Sequence, residues 1–599
     1  VNAVKPMNTM MYWRLTDEAG TVAAGRYTTV LEPSFKVDSA VNHQNMELVV
    51  LGNTAALNLK TSHKVNICLK SADGRVLHKK SAVVNKDKNF FELKFDLKKL
   101  KTPAVITLEA ELADAAGKVK NTFSEKKNVY VRPAWMEAGE LGRVTAPPVP
   151  WTTPEITEEN GKIKVTTNNN SYVFGTKSLL PEAVFLKNKL FSAGDFIFEA
   201  LTDSGMQKFT CSRIAVRKKD ARGITLALKG VSGELEVTAD VRVEFDGMAY
   251  YRTSVKPLQK GVKLHKLAII MPLDAKQLRY MRANNAMNVR ELVFNSALIA
   301  GAESAKKLPE PDMQFAINFS GNGWKFGDIF HNFYWIGGED RGIFFALPSS
   351  QNMSVKKYYS ATENSGSEFK AEFILIDTVT EIKNALDYEF AFFLTPTKNL
   401  TNRAALRRAG AGFVGNVDSS NAKVSLKPRT AVFSGNARNR FFYDKDLRPF
   451  KKDDIYTLLM PCWKLRTIQS GNPMPPENET AYIDKWLKNH KNTLGTTQML
   501  WYDAFFTPFR LPETAKYLIE FESWPITRLP VEQHGTYVCP VQAWQNFYLT
   551  GANNRIKQGV DSFYMDLTFL KPCSNRFHGC GYRDEKGAIH GKVPLLEAN

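Results

Sequence analysis

Gly559-Val560-Asp561-Ser562-Phe563-Tyr564-Met565-Asp566 decides the fold of the C-terminal part of this chain. Residues 563–565 are apolar, and the run ends on a carboxylate. Just upstream, residues 541–556 carry Trp544, Phe547, Tyr548 and Ile556 at the spacing of an amphipathic helix. The alternation extends further back. Residues 455–460 are apolar and end at Pro461-Cys462-Trp463. Residues 481–490 set Tyr482, Ile483, Trp486 and Leu487 on one helical face, and residues 497–500 lead into Trp501-Tyr502-Asp503. Residues 536–539 read as one more short strand. Strands alternating with helices, with polar groups at strand ends, predict an α/β unit of the TIM-barrel type over 446–599. A complete (β/α)8 barrel takes about 250 residues, so an incomplete barrel of about four strands is expected.

Working toward the N-terminus, residues 401–445 are expected to connect this unit to β structure. Strand-like runs occur at 162–166, 225–229, 234–245, 264–271, 342–347, 368–376 and 388–394. That is long for a two-sheet sandwich of about 100 residues, so a large β-supersandwich is predicted over 156–400. Within it, Gly337-Gly338 followed by Glu339-Asp340-Arg341 reads as a hairpin turn, with Glu339 and Arg341 expected in a structural ion pair. Residues 133–155 hold Pro133, Pro147, Pro148, Pro150 and Pro154 with Trp135 and Trp151. Proline fixes φ and resists sheet pairing, so this is a stiff linker, and its tryptophans imply that it packs on a neighbour. Residues 1–132 are predicted to form an all-β sandwich, with strands at 46–51, 57–59, 65–69, 90–95 and 105–110. Phe91-Glu92-Leu93-Lys94-Phe95 alternates apolar and charged residues, and Ser71-Ala72-Asp73-Gly74 is a turn signal. The chain is therefore expected to be multidomain.

Composition narrows the function classes. With 43% hydrophobic and 24% charged residues among 599, the chain is neither disordered nor fibrous. No run of about 18 apolar residues occurs, so no membrane-spanning helix is expected. The balance of 80 Lys+Arg against 61 Asp+Glu gives +19. The lysines are spread along the whole chain, which fits a solvated basic surface and no nucleic-acid partner; an anionic polysaccharide is the rival reading. The chain opens at Val1 without a signal-peptide pattern, and Pro594-Leu595-Leu596-Glu597-Ala598-Asn599 reads like the start of a helix. A natural length other than 599 is expected on both counts. Nothing in the pattern sets an oligomeric state.

In an α/β barrel the chemistry sits at the carboxyl ends of the strands. Asp503, Asp566 and the segment Ile519-Glu520-Phe521-Glu522-Ser523-Trp524 supply carboxylates there. Glycoside hydrolysis needs two carboxyl groups about the scissile bond, so Asp566, Glu522 and Asp503 are the catalytic candidates. An aspartate at a strand end serves equally well as a helix N-cap or an ion-pair partner. Trp463, Trp501, Tyr502, Trp524 and Tyr564 are candidates for holding sugar rings by their apolar faces, and His578 for a polar substrate contact.

The glycine-rich segment after Asp566 contains Cys573, His578 and Cys580. Cys573 and Cys580 are candidates for a small disulfide. Free thiols are a second reading. A Cys-x4-His-x-Cys zinc site is a third, needing Cys539 or His590 as a fourth ligand. The disulfide is the expectation, with no resident metal and no organic cofactor. Cys68 and Cys211 sit in apolar strands and are expected in the core.

Several of these stretches together resemble bacterial glycoside-hydrolase-domain proteins related to glycoside hydrolase family 123. They are Pro147-Pro148 to Trp151-Thr152; Trp335-Ile336-Gly337-Gly338-Glu339-Asp340-Arg341-Gly342; and Tyr388-Glu389-Phe390 through Leu394-Thr395-Pro396-Thr397. The most specific is the opening octapeptide running into Pro572-Cys573-Ser574-Asn575 and His578-Gly579-Cys580-Gly581-Tyr582. The resemblance covers roughly residues 130–599. It implies sandwich domains before a catalytic barrel, export to the periplasm or outside the cell, and action on a polysaccharide or glycan, N-acetylated amino sugars included. Characterised members are β-N-acetylgalactosaminidases with an adjacent Asp-Glu pair. Its Asp orients the substrate's own acetamido group, and its Glu is the general acid. The one such pair in the distinctive segment, Asp584-Glu585, lies in a charged turn before Lys586-Gly587 and departs from that pattern. The expected function is a glycoside hydrolase. The alternatives are a carbohydrate-binding protein with a degenerate barrel and a lyase acting on anionic glycans.

Overall fold

The computed structural model describes most of residues 35–278, 330–398, 466–490, 516–523, 535–566 and 572–593, and elsewhere only strand backbones. The N-terminal part is a sandwich of two antiparallel sheets. One contains Lys36–Asn42, Glu47–Asn53 and Phe90–Asp96; the other runs in the order Val76–Val84, His63–Ser71, Ala104–Ala113, Val119–Val129. Period-two alternation puts Ile106, Leu108, Ala110 and Leu112 of one strand into the core against Val65, Ile67 and Leu69 of its neighbour. Cys68 falls on the opposite face from those three and is only half-buried, which corrects its expected core position. Cys211 is buried as expected. The expected strand at 57–59 is absent; Ala55–Leu57 is a single 3₁₀ turn, closed by Asn58 in the left-handed region.

Glu47–Asn53 is buried on both faces. Leu48 and Val50 face the sandwich interior, while Val49 and Leu51 pack on Phe577 from the C-terminal part. A strand covered on both sides reads as a continuous apolar run, as Leu48-Val49-Val50-Leu51 does. The linker is likewise packed down. Trp135 and Met136 join a core with Trp544, Phe547 and Tyr517, and Trp151 lies edge-on to Phe245 at 5.8 Å.

The large β region contains antiparallel sheets of five, six and nine strands. One continuous core joins them, and within it Phe345 stacks on Phe373 at 3.8 Å and Tyr251 on Phe390 at 4.7 Å. Each fully buried Phe or Leu there contributes about 1.5–3 kcal/mol through removal of apolar surface from water. The hairpin at Gly337-Gly338 forms, pairing Phe333–Gly337 with Gly342–Ala346. A Cβ on Gly342 would lie 2.5 Å from the Trp335 ring, so the glycine is required by close packing. Arg341 bonds Asp340 and Gln277; Glu339, its expected partner, lies outside the described residues.

After residue 430 the sheet turns parallel. Thr430–Ser434, Ile455–Leu459, Thr496–Asp503 and Ser562–Asp566 are neighbours in that order, every pairing parallel. The helices Glu477–His490 and Gln542–Gln558 precede its last two strands. Two details differ from expectation. The expected connecting segment 401–445 contains the strand Thr430–Ser434 of this sheet. Residues 535–537 leave the sheet and pair antiparallel with Phe506–Pro508 in a separate hairpin, so they are not a barrel strand. A four-stranded parallel sheet is present; closure into a barrel is not seen among the described residues.

Candidate functional site

The register of the parallel sheet sets Asp503 directly beside Asp566 at the carboxyl ends of adjacent strands. One pair back, Tyr502 is beside Met565, and two pairs back Trp501 is beside Tyr564. For these residues the backbone placement is what the structure describes. Trp463 and Trp524 lie outside the described residues. Phe563, in the strand that ends at Asp566, packs against the core to which the preceding helix contributes. Gln542–Gln558 buries Ala543, Trp544, Phe547, Tyr548 and Gly551 on one side and ends at Gly559, whose φ of 111° lets its N–H bond the carbonyls of Arg555 and Ile556.

Glu522 is elsewhere. It forms an isolated antiparallel bridge with Val538, is buried, and lends its carbonyl to Asn575 Nδ2 at 2.9 Å. It thus sits on the segment that anchors the loop after Asp566. Glu520, two residues earlier, is consumed by structure. Its Oε1 accepts from His43 Nδ1 at 2.7 Å, and its Oε2 accepts from the Gln44 N–H at 2.8 Å. Because His43 Nε2 accepts from the Tyr130 N–H at 2.9 Å, the proton of this imidazole is on Nδ1. This pairing crosses 477 residues of sequence, and no local motif announces it.

The loop 572–593 has the most developed local geometry. Cys573 exchanges both backbone hydrogen bonds with Lys592. Asn575 then caps a 3₁₀ turn, Arg576–His578, through its side chain to the Phe577 N–H, and Gly579 closes the turn in the left-handed region. Gly581 has φ 72°, and a Cβ there would lie 2.5 Å from the His590 carbonyl oxygen. This tight backbone turns Cys573, His578 and Cys580 toward one point, where Cys539 arrives from the segment before Gln542–Gln558. The Cys539 and Cys580 sulfurs are 3.3 Å apart, and Cys573 Sγ is 3.2 Å from His578 Nε2.

The expected Cys573–Cys580 disulfide is not formed. Both are free thiols, because Cys580 faces Cys539 and Cys573 faces His578. Hydrogen bonds from Cys539 and Cys580, outweighing burial, hold the Cys573 thiol well below its ordinary value. Its hydrogen bond with Cys573 and then that with Cys580, with burial added, push Cys539 well above it. His578 does not stand alone as a substrate contact; its Nε2 is spent in this cluster. His590 is not part of it. Its Nε2 bonds Asp584 Oδ2 at 2.8 Å, and its ring stacks on Tyr582 at 5.1 Å. Asp584 also accepts from the Ala588 N–H.

The loop is tied outward to both β regions. Arg576 bonds Glu92 Oε2 at 2.9 Å, Lys592 pairs with Glu389, and the Val593 N–H bonds the Pro348 carbonyl at 2.8 Å.

Comparison with known proteins gives one family match. Residues 184–288 match the family model "Glycoside hydrolase 123, third domain". A search of the curated proteins finds no match. Among solved structures, the chain is similar to the galactosidase domain of an alpha-galactosidase-sucrose kinase at 9% identity, covering 68% of this chain and 66% of that one, with a TM-score of 0.30. It is similar to the GH36 alpha-galactosidase AgaB from Geobacillus stearothermophilus at 10% identity, covering 69% and 65%, again with a TM-score of 0.30. A galactose 1-epimerase from Lactobacillus acidophilus is covered over 98% of its length by 41% of this chain, at a TM-score of 0.25. The chain thus spans just under two thirds of those α-galactosidases, and at such scores these likenesses carry no functional argument.

Proposed function

We propose, for a chain related to glycoside hydrolase family 123 through residues 184–288, that it is a glycoside hydrolase acting on a glycan or polysaccharide. The carrying observation is the in-register placement of Asp503 beside Asp566 at the carboxyl ends of two adjacent parallel strands. Neighbouring strands lie about 4.8 Å apart. As register partners the two positions lie on one face of the sheet; in this reading one carboxyl donates a proton to the leaving oxygen and the other acts as the carboxylate. That division of labour is what glycosidic bond cleavage needs. Trp501 and Tyr564, also register partners, are then the nearest candidates for a sugar platform, with Tyr502, Trp463 and Trp524 as further ones. Glu522 is demoted to third carboxylate, because its backbone is engaged in the anchor beneath the loop.

In this reading the four parallel strands belong to a (β/α)8-type barrel. Their order in the sheet follows their order in the chain without reversal, as in a barrel and unlike a doubly wound sheet. The proposed organisation is a sandwich over 1–132, a linker over 133–155, a supersandwich over 156–400 and barrel structure beyond, now including Thr430–Ser434. Among the described residues no helix is long and apolar enough to cross a membrane, and export is proposed from the family resemblance alone.

The test is turnover of a panel of aryl glycosides, N-acetylhexosaminides and α-galactosides included, by the wild type and by Asp566→Asn and Asp503→Asn. Both variants should lose at least about 100-fold in kcat, the contribution of one acid–base group, with unchanged far-ultraviolet circular dichroism. Activity near wild type in Asp566→Asn overturns the assignment. One observation favours the rival, a glycan-binding protein: Asp584, of the adjacent Asp584-Glu585 pair, is engaged by the Ala588 N–H and by His590 Nε2. Glycan binding by the wild type with no product on the same panel would establish that rival.

A further inference from the structure

We propose that Cys539, Cys573, His578 and Cys580 form a structural zinc site that staples the loop after Asp566 to the start of helix Gln542–Gln558. Three sulfurs and one imidazole converge so that all their donor atoms lie within 4.8 Å of one another. Zinc bonded tetrahedrally at about 2.3 Å to sulfur and about 2.0 Å to nitrogen needs donors about 3.5–3.8 Å apart. The two short separations, 3.3 Å between Cys539 and Cys580 sulfurs and 3.2 Å from Cys573 Sγ to His578 Nε2, meet that tetrahedron after shifts of a few tenths of an ångström.

The donor set chooses among the alternatives. A disulfide uses two sulfurs at about 2.05 Å; it would leave a third buried cysteine and a histidine aimed at the same point with no purpose. Calcium and magnesium take oxygen ligands, of which this cluster has none. Three thiolates with one imidazole are a zinc set, and four protein ligands leave no open position for water, which marks a structural rather than a hydrolytic centre. Cys539 and Cys573 are 1% and 0% exposed. The surroundings act as the outer support such sites carry. The Asn575 N–H points at Cys573 Sγ at 3.4 Å, and the Asn575 side chain holds the Ile519 and Glu522 carbonyls at 3.0 and 2.9 Å. The Cys539 N–H bonds the Phe521 carbonyl at 2.7 Å. Gly579 and Gly581, both at positive φ, flank Cys580 and give the knuckle its sharp return. Of the two fourth ligands open at the sequence level, the structure selects Cys539, since His590 is committed to Asp584.

The experiment is metal analysis of the full chain purified under reducing conditions without chelator. About one zinc per chain is expected, released on thiol modification with a mercurial. Cobalt added to chelator-stripped protein should give the absorption of tetrahedral thiolate coordination between about 600 and 750 nm. Cys580→Ser and His578→Ala should each lower zinc content and melting temperature together. If a variant fails to fold, the wild-type cobalt spectrum decides alone. Absence of stoichiometric zinc, an octahedral cobalt spectrum, or a Cys539–Cys580 disulfide found by mass spectrometry in freshly reduced and re-equilibrated protein overturns the proposal.

Discussion

Replacing Glu520 by alanine should loosen the attachment of the N-terminal sandwich without touching chemistry. The carboxylate is 1% exposed and accepts from two groups, His43 Nδ1–H at 2.7 Å and the Gln44 N–H at 2.8 Å. Removing it leaves both donors without their acceptor, His43 buried and the Gln44 N–H partly so. Each stranded donor costs about 1–3 kcal/mol, and the lost side-chain packing adds to that, so about 3–5 kcal/mol is expected for the variant. Glu520→Gln keeps one acceptor for His43 but turns an N–H2 toward one of the two donors, and should cost about half as much. The assay is urea unfolding of the full chain followed by tryptophan emission. Trp135 is 4% exposed and meets Tyr517 edge-on at 5.7 Å, and Tyr517 in turn meets the His43 ring at 5.2 Å. The transition that exposes Trp135 should move to lower urea in the order alanine, glutamine, wild type. A cycle with His43→Ala should show coupling of about 2 kcal/mol or more, since each single variant strands the same bond. Alanine at 520 within about 0.5 kcal/mol of wild type, the range of an ordinary surface change, would refute the reasoning. Loss of turnover in fully folded Glu520→Ala would instead place Glu520 in the chemistry.

Gly551→Ala should be strongly destabilising, by about 2 kcal/mol or more, because its Cβ would lie 2.0 Å from the Gly471 carbonyl oxygen, a backbone atom with little room to yield; thermal melting reads this. Phe577→Ala removes the side chain that packs on Val49 and Leu51. It should cost about 3 kcal/mol, and limited proteolysis should cut the 572–593 loop sooner. Glu182 gives a pH test. Burial works to raise its carboxyl, but hydrogen bonds from Lys162 and the Lys177 N–H win and hold it below its ordinary value. A depressed folded value means the stabilisation is present above the unfolded pKa, about 4.3, and is lost as pH falls through the folded one. Glu182→Gln should therefore be less stable at neutral pH and show a shallower loss of stability below pH about 4; parallel acid profiles for the two proteins would refute the assignment.

The periodic elements were legible. Lys162–Thr166 and Glu368–Ile376 lie where alternation and β-branched content predict them, and Glu477–His490 and Gln542–Gln558 extend the predicted helices by a few residues. The failures have physical causes. Residues 536–539 have strand composition, but composition does not say which partner a strand finds, and 535–537 pair with Phe506–Pro508. Alternation does identify the outer face of His63–Ser71, yet the apolar character of cysteine hid that Cys68 lies on it. At the site, Asp503 and Asp566 were both readable as strand-end carboxylates, but their side-by-side register required the sheet. The thiol cluster was half-readable: the spacing of Cys573, His578 and Cys580 is local, whereas Cys539 is separated from them by the helix Gln542–Gln558 and the strand Ser562–Asp566. The role of Glu520 was unreadable, because its partner is on the far side of the chain.

The same long-range pattern explains how the glycine-containing turn at Arg576–Gly581 keeps its shape. A loop beyond a strand end must fold back on itself within a few residues, and Gly579 and Gly581 supply the positive φ for that return. Such a return costs backbone entropy that the loop's own small core cannot offset. Compensation comes from its attachments: Phe577 on Val49 and Leu51, Arg576 on Glu92, Lys592 on Glu389 and Tyr582 on Ser350. These reach both β regions, so the sandwiches are fastened to the loop that follows Asp566. If Asp566 carries the chemistry, the sandwiches act at a distance on its geometry, and a change as remote as Glu92→Ala should reduce kcat through Arg576 while leaving each sandwich folded. Unchanged kcat in that variant would mean that the loop orders itself and that its ties to the sandwiches serve stability only.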